Sequence, residues 1–433
     1  MLLVALNPAQ SRSLSLIRDA EIETIIGSYA APLFEAAGLD PSLVKIKIVN
    51  GSDINAFVAG GQRIFIFTGL LLTSDHPDEI KGVIAHEVGH IAGGHLARLH
   101  DRLRLANSQV IIASLIGIAA AIGAGSSGAG AALIGSGQQV AQRSLLQYSR
   151  TQESAADQAA LAYLNATSNS PRGLLSFLVK LGDQEALLTK RQDSYVLTHP
   201  LARERVSLLR EQIEKSPHRD AKTSAENLAI FARMKAKLHG FLDKPAKTLR
   251  LYPVSNQSEP ARYARAIAYH RQANFSAALA EVGDLLTESP KDPFFHELHG
   301  QIFFEAGDAA RAIAPLSRAV KILPEAPMIR FGLARAQIAT NDPANNRAAI
   351  DHLLAVVGTD PDATSAWRQL AIAYGRDGKL GLSSLASAEF SLRVGRKRDA
   401  RHHAGRASRA LPQGSPGWLR AQDIEITAGK KGK

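Results

Sequence analysis

The chain has 433 residues, room for two or three domains, and its 45% apolar and 21% charged residues exclude a disordered polymer. It contains no cysteine, which excludes disulfide staples, thiol catalysis and cysteine-ligated metal; any metal must be held by His, Asp or Glu. The net charge of +11 fits either an ordinary solvated basic surface or anionic partners such as phospholipid or lipopolysaccharide, while 6% aromatics and the lack of a base-reading motif argue against nucleic acid.

Residues 1–14 begin with Met1-Leu2-Leu3-Val4-Ala5-Leu6, an apolar run matching only the last part of a signal segment. A cytoplasmic chain, a start set too far downstream and a trimmed leader all stay open. Residues 15–212 mix helical stretches with one clear strand. Gln62-Arg63-Ile64-Phe65-Ile66-Phe67-Thr68 is β-branched and aromatic, ends at Gly69, and reads as a strand at an edge or in the interior of a sheet.

Ile80 to Ala92 contains His86-Glu87-Val88-Gly89-His90. Positions i and i+4 share one helix face, so two imidazoles can hold one metal ion while Glu87 takes a proton from water. Val83, Ile84, Val88 and Ile91 suit a buried helix, where two His and a Glu without a ligand would be costly. Catalytic zinc needs a third protein ligand besides a water. His95 lies five residues past His90, about 140° off the ligand face at 100° per residue, and reads as surface or helix end. Glu153 is the better third ligand, on a helical stretch rich in small residues. Asp157, one turn later, is placed to accept the free N–H of a ligand histidine.

Residues 107–142 carry no charge, and their two apolar arms meet at Gly125-Ser126-Ser127-Gly128. Neither arm cleanly reaches the roughly 20 residues of a spanning helix. The segment reads as a hairpin that covers the site or dips into a membrane surface, with a buried helix pair and a span as alternatives. His199 precedes Pro200 and belongs in a loop rather than mid-helix. Residues 213–260 form a polar connector with a helix around Ala225 to Leu238. Residues 261–412 hold Ala-rich helical hairpins, and 413–433 a C-terminal helix or tail. Ala278, Ala312, Ala349 and Ala400 each lie twelve residues before Pro290, Pro324, Pro361 and Pro412, and the first two prolines are 34 apart. That period is the tetratricopeptide spacing. Small residues recur in the preceding helix at Ala266, Gly300, Ala334, Ala371 and Ala388.

HEVGH followed by Glu153-x-x-x-Asp157 resembles the gluzincin metallopeptidases related to the CAAX prenyl proteases and the mitochondrial inner-membrane stress protease. Asn55 to Gly61, Thr68-Gly69-Leu70-Leu71 and Thr198-His199-Pro200 with Arg205 match as well; Ala59 replaces the family's usual proline. The resemblance implies a mainly α fold with a small β-sheet: a zincin-like α+β metalloprotease domain followed by a tetratricopeptide α-solenoid. It implies one Zn2+ per chain on His86, His90 and Glu153, with Glu87 as catalytic base. His199 would block the water position or stabilise the oxyanion, and Arg205 would orient that loop or bind substrate carbonyls. Asn55, Gln62, Ile64 and Ile66 would bind substrate along an edge strand. The implied partners are unfolded or stalled outer-membrane proteins and, through the repeats, a β-barrel assembly machine. The implied place is the periplasm, with peripheral membrane contact. The alternative is a repeat-scaffold adaptor or chaperone whose protease site is mostly latent.

Overall fold

The computed structural model describes residues 15–95, 150–187, 199 and 203–429. Residues 1–14, expected as a possible signal-segment remnant, and residues 107–142, expected as an apolar hairpin, lie outside the described residues. The chain divides into two compact units. One runs to residue 235 without residues 19–21; the other holds residues 19–21 and everything from 236 onward.

In the first unit, strands β1 (Leu16–Ile17), β2 (Lys45–Val49), β3 (Ala56–Ala59) and β4 (Arg63–Phe67) form one sheet in the order β1-β2-β4-β3. β4 runs parallel to β2, with Lys45 opposite Arg63 and Val49 opposite Phe67. β3 lies antiparallel to β4, with Ala56 opposite Ile66 and Ala59 opposite Arg63. Gly60 and Gly61, with φ of 58° and 94°, make the turn that joins them. β4 is therefore an interior strand, which corrects the edge-strand expectation. Its alternate residues Ile64 and Ile66 are buried in the core, so their side chains do not line a substrate groove. Among the described residues, the free edge on that side is β3.

Helix α1 (Ala20–Ala36) is followed, after the sheet, by α2 (Thr68–Thr73) and α3 (Pro77–Ala92). Gly69 lets α2 begin against the preceding loop: a Cβ there would sit 2.3 Å from the Ser52 carbonyl oxygen. α3 starts with the His76 side chain accepting from the Asp78 N–H, Pro77 at the first turn, and Asp78 and Glu79 at the positive end of the helix dipole. It is buried from Pro77 to Gly89. Its acids have partners. Lys180 Nζ lies 2.8 Å from Glu79, and the Thr223 hydroxyl donates to Asp78. Helix α4 spans 150–166 of the described residues. It is followed by α5 (Arg172–Leu187) and α6 (Arg203–Glu214). Gly82 and Gly89 bring α3 close to α5 and α4. A Cβ on Gly82 would lie 2.7 Å from Leu174 Cα, and one on Gly89 2.8 Å from the Ala156 carbonyl oxygen.

The stretch expected as a polar connector is largely helical, with α7 (Ala225–Leu242) and α8 (Pro245–Leu251). Paired helices follow: α9 (Glu259–Arg271) with α10 (Phe275–Glu288), α11 (Pro293–Glu305) with α12 (Ala309–Ile322), and α13 (Pro327–Ala339) with α14 (Pro343–Thr359). Ala278, Ala312, Ala349 and Ala400 are all fully buried, as close helix pairing requires. The carbonyls of Pro290, Pro324 and Pro361 accept hydrogen bonds from His296, Arg330 and Trp367, each six residues on. Left-handed residues end the first helix of each pair at Ala273, Gly307 and Asn341. The same turn recurs at Gly378, after α15 (Thr364–Arg376), and at Gly395, after α16 (Leu380–Arg393). α16 thus closes one pair and opens the next, with α17 (Lys397–Ala410). That half-step explains why no proline follows α16. α18 (Pro416–Gly429) ends the described chain. Among the described residues no helix is long and apolar enough to cross a membrane.

Candidate metal centre

α3 places His86 and His90 one turn apart, with their Nε2 atoms 3.1 Å from each other. α4, drawn in at Gly89, adds Glu153. One carboxylate oxygen lies 3.3 Å from His86 Nε2 and the other 3.3 Å from His90 Nε2. His199 completes the group, its Nδ1 3.2 Å from Glu153 and 3.3 Å from His86 Nε2. One ligand atom from each of these four residues lies within 4.8 Å of the others.

The surrounding contacts fix the imidazoles. His86 Nδ1 lies 2.9 Å from Asp157 Oδ1, which turns Nε2 toward the cluster. Asp157 is held in turn by Arg205, which also reaches Glu153 Oε2 at 2.8 Å. Arg205 was expected to orient the loop or to bind substrate carbonyls; its guanidinium is buried and engaged with these two carboxylates. His95 corrects its sequence reading. It is buried, and its Nδ1 lies 2.9 Å from His90 Nδ1, so it steadies the second imidazole as Asp157 steadies the first. The helical projection failed because α3 stops at Ala92. Gly94 takes a φ of 62° and turns the chain back, while the bare Cα of Gly93 leaves room for the His95 ring. The Gly93-Gly94 pair was the available signal.

Charge is balanced by proximity. Burial opposes the charge on Glu153, yet hydrogen bonds from His199, His86 and His90 hold its carboxyl far below the usual range. Burial likewise opposes His86, but Asp157 and Glu153 push it up to about 9. Burial dominates at His90 and lowers it. Glu87, between the two imidazoles, is fully buried, and no hydrogen bond from a described residue reaches either of its carboxylate oxygens. His199 Nε2 lies 3.3 Å from its Oε1.

Of the proposed substrate contacts, Gln62 lies exposed at the hairpin, its carbonyl accepting from the Lys45 N–H. The Asn55 carbonyl accepts from the Phe67 N–H. Ile64 and Ile66 are withdrawn, as described.

Three imidazoles and a carboxylate sharing one small buried space fit a divalent cation. Glu87, buried beside them without a hydrogen bond from a described residue and touched only loosely by His199, suits a base for water. The chain is a metalloendopeptidase. Over residues 17–213 it matches Peptidase family M48. Similarity extends further along the chain. It is 28% identical to the beta-barrel assembly-enhancing protease of Yersinia pestis over 357 residues, covering 79% of this chain and 70% of that protein. It is 25% identical to the protein of the same name from Escherichia coli K12 over 420 residues, covering 90% and 84%. It is also 30% identical to the metalloprotease LoiP of Escherichia coli K12 over 173 residues, covering 39% and 63%.

The close approach at Gly89 carries a prediction. Gly89→Ala drives a Cβ into the Ala156 backbone and pushes α4, and Glu153 with it, away from the imidazoles. The expected cost is about 1–3 kcal/mol of stability, with weaker metal retention. Thermal melts and chelator competition measure both, and unchanged values would refute the packing argument.

Proposed function

We propose that the protein is a zinc-dependent endopeptidase with a helical-repeat domain, acting on unfolded or stalled outer-membrane β-barrel proteins in the periplasm. His86, His90 and Glu153 hold one zinc per chain, with Asp157, His95 and Arg205 as their supports. Bound there, the ion supplies Lewis acidity and brings the pKa of water to about 7. Glu87 takes the proton from the attacking water and hands it to the leaving amine. Substrate adds as a strand along β3. The 55–67 and 57–65 pairs bond to each other, so the main-chain groups of Ala56 and Val58 point away from β4, toward an incoming peptide. Main-chain pairing makes few demands on substrate sequence. In the resting arrangement His199 stands in the cluster where water must enter, which keeps the site latent. The repeats recruit substrate or a β-barrel assembly machine.

The observation that carries this reading is the convergence of Glu153 on the imidazole pair beside a buried Glu87 that accepts no hydrogen bond from a described residue. It is supported by the names of the relatives aligned over most of the chain. The test is the metal content of the purified protein together with cleavage of an unfolded outer-membrane protein. One zinc per chain, cleavage stopped by chelator and restored by zinc, and faster cleavage by His199→Ala are the expected results. Cleavage that survives complete metal removal would refute the proposal.

A further inference from the structure

α17 differs in charge from the helices before it. From Arg396 to Arg409 there are six Lys or Arg and one acid, +5 of the chain's +11. Ala400, Ala404 and Ala407 form its buried face. Lys397, Arg398, Arg401, His402, Arg406 and Arg409 are exposed. At 100° per residue they cover an arc of about 180° opposite those alanines. None of these five Lys and Arg, nor Arg396, forms an ion pair with a described residue. Neighbouring Arg393 and Arg420, by contrast, are both spent on Glu389.

We propose that this face docks the protein on an anionic membrane surface by binding lipid phosphates. Four of the five exposed Lys and Arg are arginines, whose planar fork pairs with phosphate oxygens in a bidentate way. They extend about 18 Å along the helix, from Lys397 to Arg409, which suits an extended array of charges better than one small anion. The exposed face carries no large aliphatic side chain and no Phe, Tyr or Trp of the kind that anchors the centre of a protein interface. It likewise offers no Phe, Tyr or Trp for stacking the bases of a nucleic acid. The contact is therefore electrostatic and peripheral, and it does not depend on the peptidase reading.

The test is co-sedimentation of the full chain with vesicles of phosphatidylglycerol in phosphatidylcholine, and with phosphatidylcholine alone. Binding to the anionic vesicles is expected to weaken as salt rises from about 50 to about 200 mM. Combined Arg398→Glu, Arg401→Glu and Arg406→Glu is expected to lower vesicle partition roughly tenfold or more, with an unchanged melt and unchanged cleavage of a soluble unfolded substrate. Should that variant misfold, the same three positions changed to Gln are expected to give a smaller loss in the same direction. Equal partition of a folded variant and the natural protein would overturn the proposal, as would equal binding to neutral vesicles. So would release by inorganic phosphate at the vesicle phosphate concentration, or tighter capture by polyglutamate or duplex RNA than by vesicles.

Discussion

Glu87→Gln will leave a folded, metal-loaded protein with almost no peptidase activity. The amide has nearly the same shape as the carboxylate but cannot accept a proton from water. General-base catalysis is worth about 10²–10⁴-fold in rate, so kcat should fall by at least that range. Metal content should not change, because Glu87 lies outside the set of donors that converge on one another. The melting temperature should move by only a few degrees, because no hydrogen bond from a described residue to the carboxylate is lost. Single-turnover cleavage, metal analysis and a thermal melt on one preparation decide the matter. A variant with natural kcat would remove Glu87 from the mechanism. A variant that loses cleavage but still supports outer-membrane assembly would favour the adaptor alternative, with the repeats doing the principal work.

Legibility of the sequence followed the physics of each signal. His86, Glu87 and His90 were readable because their spacing is one turn of a helix, and a helix fixes relative position locally. Glu153, 63 residues beyond His90, carried no such local signal; a stoichiometric demand for a further carboxylate found it. The repeats were legible for the same reason as the helix: Ala278 and Ala312 occupy equivalent sites because each pair packs in the same way. The half-step at α16 was not, since it depends on the left-handed turn at Gly395 rather than on a spacing of prolines. The sheet was the least legible. β1, β2 and β3 are two, five and four residues long, too short for a reliable alternation. The place of β4 inside the sheet is a matter of pairing, which one strand's composition does not encode. His95 escaped because helical angles hold only while the helix lasts.

Arg205→Ala is expected to be the most destabilising single change at the centre. The guanidinium lies between Glu153 and Asp157, donating to Asp157 at 2.8 Å and lying 2.8 Å from Glu153. Both carboxylates are buried with it. Removing the cation leaves two buried acids facing each other, and breaking a buried pair in this way costs about 3–5 kcal/mol. The metal feels the loss twice, through Glu153 as a ligand and through Asp157, which orients His86. Loss of such supporting contacts lowers metal affinity by about 10–100-fold. Arg205→Lys should recover only part of either quantity, because one ammonium cannot fork between two carboxylates. These effects separate a positioning role from direct substrate binding. A positioning residue lowers the melting temperature and the zinc affinity together, and added zinc restores part of kcat. A substrate-binding residue raises KM and leaves both unchanged; that pattern in Arg205→Ala would overturn the positioning role.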